Sequence, residues 1–421
     1  MFLLKLEPGI DSANSLFKQN KYQEAIDACN ELLVYNNQSI EALKLIAKSF
    51  FATGKIEDSR LYLRNILALK PDDYEAIKDI GNTYQAIGDI NTAKNYYQQA
   101  IKINSSYAPA LTNLGIIELT NGSQENALSL LIQATECDPL LVPAWVNLAN
   151  VYLKSNKLKE AENSYRKSIE LNPNIFNSHF LLSSILIEQK RFQEAEQSLR
   201  KTIELKPDFF QAHLNLGATL QELNKTQEAE ISIRKAISLN TNIFNSHFLL
   251  ASILIEQKRF QEAEQSLRQT IKIKPDFGVA HSNLGGILLD RGELKEAEIS
   301  TRKAIELKPN FAYAHYNLGN ILKDLDKLQD AEISYRKAIE IKPDFAEAHS
   351  NLGNTLKDLG NLKEAELSYR KAIEIKPDYA EAYSNLGNIL RDLGNLKEAE
   401  LSTRKAIEIK PDFANAHSNL G

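Results

Sequence analysis

The chain has 421 residues, 43% hydrophobic and 25% charged, with 50 Lys and Arg against 55 Asp and Glu and a formal net charge of -5. A protein that tracks nucleic-acid phosphates carries a basic excess on a face or stripe; none is present, which argues against a nucleic-acid partner. Cys29 and Cys137 provide no disulfide framework, and no segment approaches the roughly 20 apolar residues of a membrane span.

The amino-terminal run Met1-Phe2-Leu3-Leu4 is interrupted by Lys5 and Glu7 and is too short for a signal-peptide core. Without a signal or a span, the expected location is cytoplasmic, with no membrane partner.

From about residue 6 onward the chain repeats. Pro71, Pro139, Pro173, Pro207, Pro275, Pro309, Pro343, Pro377 and Pro411 lie on one lattice of 34 residues, with Ser105 and Thr241 at the two gaps. A second lattice holds Ala25, Ala93, Ala127, Ala161, Ala195, Ala229, Ala263, Ala297, Ala331, Ala365 and Ala399, broken only by Ser59. A fixed period of this size marks stacked supersecondary units.

Residues 346–379 show the plan of one unit. Ala348, Leu352, Leu356 and Leu359 have helical spacing, and so do Leu362, Ala365, Tyr369, Ala372 and Ile373. Between them sits Gly360, whose lattice equivalents are Asn20, Gly54, Gly88, Gly122, Asn156, Lys190, Asn224, Lys258, Gly292, Asp326 and Gly394. Gly, Asn and Asp predominate, and these tolerate the left-handed conformation that closes a helix. The lattice proline stops the second helix, and Asp344 with Glu347 has the spacing of a capping box for the next first helix. Gly353 and Ala365 are expected to let the two helices approach closely, with Tyr369 and Leu352 filling the space around them. One such pair cannot bury its apolar faces alone; stacking on the next pair completes the burial.

Period, proline, alanine and Leu-Gly positions together resemble the tetratricopeptide repeat. The resemblance implies an all-α fold, an α-solenoid in which antiparallel helix pairs stack into a right-handed superhelix. It covers residues 1–421 as a single solenoid, with twelve repeats over 6–413 and a partial thirteenth at 414–421. The pentatricopeptide RNA binders share the helix-pair plan, but their usual period is one residue longer and they tend to be basic.

Residues 174–209 and 242–277 differ only at Ser183/Ala251, Lys201/Gln269, Glu204/Lys272 and Leu205/Ile273, so a block of two repeats was copied as a unit. Within these copies Phe180-Leu181-Leu182 and Phe248-Leu249-Leu250 are read either as apolar groove pockets or as core. Ala414–Gly421 stops within a first helix, which suggests a continuation beyond Gly421. By the same reading, Leu401 and Ile407 of the last complete helix should form an exposed apolar strip, because in interior repeats the next unit covers those positions.

His179, His213, His247, His281, His315, His349 and His417 share one slot with Trp145 and Tyr383. Successive first helices are at least about 8–10 Å apart, too far for these rings to converge on one metal ion. Packing is the expected role, and no metal or other cofactor is expected. No GxxxxGK[ST], GxSxG, HExxH or dinucleotide glycine fingerprint is present, and catalysis by this chain is not expected.

Two rows of asparagine lie inside the first helices. Asn113, Asn147, Asn215, Asn283, Asn317, Asn351 and Asn385 form one row, with Asn419 in the same slot. Asn82, Asn150, Asn320, Asn354 and Asn388 form a second, three residues further along the repeat and on the same helix face. Asparagine disfavours a helix interior by up to about 0.7 kcal/mol relative to alanine, so its repetition there calls for a compensating contact. A carboxamide offers an acceptor and two donor hydrogens and can pair with any peptide backbone. The first helices line the concave side in the resembled family, so the expectation is a groove that binds a protein or extended peptide. The pattern is similar to the repeat arm of O-linked N-acetylglucosamine transferases, most closely at Ala348-His349-Ser350-Asn351-Leu352-Gly353, and departs from it at Leu181 and Leu249. A duplicated, incidental asparagine is the competing reading.

A protein-binding scaffold is therefore the main functional expectation. The alternative is the substrate-recruiting arm of a larger enzyme, such as a protein glycosyltransferase, whose catalytic domain is absent from this chain. A third option is a chaperone-partner repeat of the carboxylate-clamp type. Lys78, Asn82 and Asn113 match its first three places, but Pro143 and Asn147 stand where two basic residues belong.

Overall fold

The computed structural model describes residues 9–420. Residues 1–8 and 421, which hold the start of the first repeat and the last residue of the thirteenth, lie outside the described residues. The chain divides into two compact units, residues 1–207 and 208–421, each a stack of helix pairs.

In the first unit the first helices of successive repeats are Ile10–Lys18, Ile40–Ala52, Tyr74–Ala86, Ala108–Thr120, Val142–Lys154 and Phe176–Glu188. They alternate with the second helices Tyr22–Tyr35, Ile56–Leu69, Ile90–Ile103, Gln124–Cys137, Leu158–Leu171 and Phe192–Leu205. In the second unit the first helices are Phe210–Glu222, Phe244–Glu256, Gly278–Asp290, Ala312–Asp324, Ala346–Asp358, Ala380–Asp392 and Ala414–Leu420. Their partners are Thr226–Leu239, Phe260–Ile273, Leu294–Leu307, Leu328–Ile341, Leu362–Ile375 and Leu396–Ile409. No strand occurs among the described residues.

The two lattices explain these boundaries. The alanines are fully buried from Ala25 to Ala365, as is Ser59 at the gap, so each pair closes on a small side chain. All twelve turn positions, from Asn20 to Gly394, have a φ between 55° and 84°. Asn156, Lys190, Asn224, Lys258 and Asp326 are among them, so a turn geometry set by the fold is imposed even on lysine. Within each unit first helices also pack directly on one another, as Val142–Lys154 does on Ala108–Thr120 and Ala312–Asp324 on Gly278–Asp290, and no comparable packing joins successive second helices. The first-helix side is thus the inner side of each stack.

On the outer side an ion ladder joins the second helices. Arg336 pairs with Glu332 one turn back at 2.8 Å and with Glu364 of the next repeat at 2.6 Å. Arg268 and Arg370 repeat the arrangement with Glu264 and Glu296, and with Glu366 and Glu398.

Two expectations need correction. The helix Ala346–Asp358 is preceded by Phe345 as its cap residue and receives no side-chain cap, so Asp344 sits one position too early for a capping box. Side-chain caps do occur at Ser39, Asp73 and Asp89. The apolar strip of the last complete helix is not a property of the chain end either. Leu401 is 68% exposed, but its interior equivalents Ile299, Ile333 and Leu367 are 71%, 66% and 66% exposed. Ile407 is half-buried, like Ile373. Only Leu396 departs from its row, being exposed where Leu294, Leu328 and Leu362 are half-buried.

A side chain with a Cβ in the left-handed region costs about 1–2 kcal/mol, whereas glycine returns part of that as lost unfolded-chain freedom. Lys190→Gly and Lys258→Gly should each stabilise their repeats by about 0.5–1 kcal/mol. The expected result is slower amide hydrogen exchange in helices 176–205 and 244–273; unchanged exchange would show that these turns carry no strain.

Candidate functional site

The asparagine-bearing face begins with a packing problem. Gly353 faces the ring of Tyr369 so closely that a Cβ there would lie 2.7 Å from Tyr369 Cε1; Gly81 with Tyr97 and Gly319 with Tyr335 are alike, at 2.7 and 2.6 Å. Tyr97, Tyr165, Tyr335 and Tyr369 are completely buried. A buried phenol needs a hydrogen-bond partner, and asparagine supplies it. Tyr97 donates to Asn82 Oδ1 at 2.8 Å, Tyr165 to Asn150 at 2.6 Å, Tyr335 to Asn320 at 2.7 Å and Tyr369 to Asn354 at 2.8 Å.

The second row is therefore tied to the core. Where the tyrosine slot holds Leu131, Leu199, Ile233, Leu267 or Thr301, the asparagine slot holds Ile116, Ser184, Ala218, Ser252 or Gly286. Two repeats are exceptions: Asn14 is followed by Cys29 in the tyrosine slot, and Asn388 by Thr403, and Asn388 Oδ1 accepts instead from Arg391 at 3.4 Å. This coupling, a tyrosine fifteen residues after an asparagine, is visible in the sequence and is a signal that the reading by asparagine rows alone overlooks.

The first row bridges repeats. Asn113 Nδ2 donates to Asn82 Oδ1 at 2.8 Å, Asn351 to Asn320 at 2.9 Å and Asn385 to Asn354 at 3.1 Å. Asn351 also donates to the hydroxyl of Tyr316 at 3.2 Å. Where the preceding repeat has no asparagine to receive it, the carboxamide turns elsewhere: Asn147 to the Pro143 carbonyl at 2.8 Å, Asn317 to that of Ser282 at 3.4 Å. Asn215 and Asn283 follow Ser184 and Ser252, whose hydroxyls donate to the Phe180 and Phe248 carbonyls at 3.2 Å. The twelve asparagines of the two rows other than Asn419, whose side chain lies outside those described, are half-buried.

These bonds leave part of each carboxamide unused. Among the described residues no protein partner meets Asn351 Oδ1 or the Nδ2 groups of Asn320 and Asn354, and none of these atoms is among the buried unsatisfied ones. Solvent or a ligand can reach them. The face thus presents a spare acceptor beside spare donors, held in place by buried tyrosines.

The other sequence candidates settle into structural roles. Nε2 of His179, His281, His315, His349 and His417 lies 2.8–3.1 Å from the carbonyl of the lattice proline six residues earlier. A carbonyl only accepts, so Nε2 carries the hydrogen, as does Trp145 Nε1, which donates to Pro139 at 2.9 Å. Burial lowers the pKa of His179 and His349, favouring the neutral ring. No cluster that could hold a metal ion occurs among the described residues. Phe248 is half-buried and packs edge-on against Phe277, ring centroids 5.0 Å apart. Of the clamp positions, Lys78 pairs with Asp79 at 2.5 Å and Asn82 Oδ1 is occupied by Tyr97 and Asn113. Internal contacts therefore engage the residues a terminal carboxylate would need.

Helix pairs stacked on a buried small-residue lattice, with a polar inner face, define an α-solenoid of interaction-scaffold type. The family model described as "Cilia and flagella-associated protein 70 C-terminal domain" matches residues 73–272 and again 142–353. The two matches are offset by about two repeats, so what is matched is the repeat itself. Models described as "TPR repeat" and "Tetratricopeptide repeat" match residues 353–394, 380–413 and 10–74. The chain belongs to the tetratricopeptide-repeat family.

No curated protein matches the chain in sequence. Among solved structures, "Crystal structure of APC/C hetero-tetramer Cut9-Hcn1" is 12% identical with a TM-score of 0.50, covering 97% of this chain and 94% of that one. That likeness is one of fold. "Crystal structure of YrrB: a TPR protein with an unusual peptide-binding site" is 24% identical with a TM-score of 0.38, covering 44% of this chain and 96% of that one. No helix among the described residues is long and apolar enough to cross a membrane.

Burial holds the hydroxyls of Tyr97, Tyr165, Tyr335 and Tyr369 well above the ordinary phenol range. A raised pKa means that the folded state keeps its proton more tightly than the unfolded one. The associated stability is complete below the ordinary tyrosine value of about 10 and is lost as pH rises beyond it. A chain with all four changed to Phe should lose about 1 kcal/mol per site at pH 7 yet decline less steeply above about pH 10. Circular dichroism against pH, with phenolate absorbance, checks this; parallel alkaline profiles would disprove the buried hydroxyl network.

Proposed function

We propose that the chain is a non-catalytic scaffold that holds an extended polypeptide along its inner, first-helix face. The observation that carries this reading is the spare acceptor of Asn351 beside the spare donors of Asn320 and Asn354, left after the internal ladder is satisfied. A peptide backbone offers N–H and C=O groups whatever its side chains, so this face would read main chain more than sequence. Repeats 10 to 12 supply the longest uninterrupted run, from Tyr335 and Asn320 through Asn351 to Tyr369, Asn354 and Asn385.

Each net hydrogen bond contributes about 0.5–1.5 kcal/mol, and association costs an estimated 4–15 kcal/mol. No single asparagine can hold a ligand, and several must act together. In this reading the first row carries two tasks, locking one repeat to the next and offering its oxygen to the ligand.

The test uses unstructured peptides selected from a displayed random library on the full chain, with affinity then measured by calorimetry. Asn351→Ala with Asn385→Ala should weaken binding by about tenfold, two hydrogen bonds' worth, while the helical circular dichroism stays unchanged. If the double variant binds as tightly as the parent, or selection yields no peptide, the inner-face proposal is wrong.

A further inference from the structure

The outer side of the second unit carries a feature the inner face does not explain. Ile299, Ile333, Leu367 and Leu401 stand about two-thirds exposed on four consecutive second helices, one repeat apart. The fold does not require apolar side chains there: the same position holds Asn95, Ser129, Asn163, Gln197 and Gln265 in other repeats, while Leu61 and Ile231 are isolated apolar occupants of it.

Beside this row lies a row of clefts. Ile333 stands at a cleft of about 710 Å³ floored by His315 and Leu318; Ile299 stands at another of about 710 Å³ floored by His281 and Leu284. Leu367 stands at a third, of about 450 Å³, over His349 and Leu352. Each cleft lies between successive second helices and has both Arg and Glu among its lining residues, such as Arg302 with Glu306 and Arg336 with Glu340. Protruding aliphatic side chains and receiving clefts therefore alternate along one face.

We propose that this outer face is a docking surface for a second copy of the chain, the two related by a two-fold axis, with the aliphatic row of each entering the clefts of the other. The pitch supports this partner. Knobs and clefts are produced by the same repeat, so a second copy meets several clefts in register at once. The charge pattern points the same way. The rims mix both signs and the arginines are already paired with glutamates along the ladder, so a strongly acidic or basic partner gains little, whereas a second copy brings an aliphatic row framed by the same neutralised rim. A self-complementary patch closes as a dimer and does not propagate.

The natural residues of other repeats provide a substitution compatible with the fold. Ile299→Gln, Ile333→Gln, Leu367→Gln and Leu401→Gln together place at these sites the residue already present at Gln197 and Gln265. Sedimentation velocity of the full chain between about 1 and 100 µM should show a dimer. The fourfold variant should dissociate with a constant raised by at least about a hundredfold, with unchanged circular dichroism. The Asn351→Ala, Asn385→Ala chain should dimerise as the parent does. A parent that stays monomeric throughout, a variant that still dimerises, or a mass that keeps rising beyond two copies would each overturn the proposal. Loss of the dimer in the asparagine variant would place the contact on the inner face and overturn it as well.

Discussion

The two helices of a repeat cross at Gly353 and Ala365, and the space between them is set by what is missing there: a side chain on one helix and anything larger than a methyl on the other. A tyrosine ring fills the space that remains, and with the ring comes a hydroxyl that cannot reach water. Its need for an acceptor places asparagine at a helix interior, where intrinsic preference opposes it. The asparagine, fixed by the phenol, then receives the carboxamide of the next repeat. A steric fact inside one pair thus becomes a polar connection between pairs, and the inner face acquires its pattern as a consequence of the core.

This dependence explains what the sequence revealed and what it did not. Helices, turns and repeat boundaries were legible because each rests on a local rule that recurs along the chain: alanine where helices touch in eleven repeats, proline after the second helix in nine, a left-handed residue at all twelve turns. Even Lys190 and Lys258, which break the compositional rule for that turn, obey its geometry. The asparagines were recognisable as unusual, but their partners lie fifteen and thirty-one residues away, on other helices. Reading each row alone hid the tyrosine that accounts for one of them. The misplaced capping box at Asp344 has a smaller cause: the helix starts one residue later than its spacing suggests, and Phe345 occupies the cap position.

The expectation for the last helix failed for an instructive reason. It assumed that an apolar residue on a solenoid helix must be covered by the next repeat. In a stack of pairs the next repeat covers the sides of a helix and leaves its outer ridge open, so Ile333 in the interior is as accessible as Leu401 near the end. The ion ladder runs along this same side. Individual exposed pairs contribute little, but each arginine that reaches both its own helix and the next repeat restricts how far two second helices can separate.

The slot shared by histidine and tryptophan bears on how the stack responds to acid. The ring nitrogen that meets the proline carbonyl is Nε2, and it bears hydrogen in both the neutral imidazole and the imidazolium. Titration changes only the opposite nitrogen. The donor to the proline carbonyl is therefore present in either form of the ring, and tryptophan, which does not titrate, serves in its place at Trp145. A residue type usually associated with proton-dependent switching is used here as a clasp whose donor hydrogen is not the one that titrates.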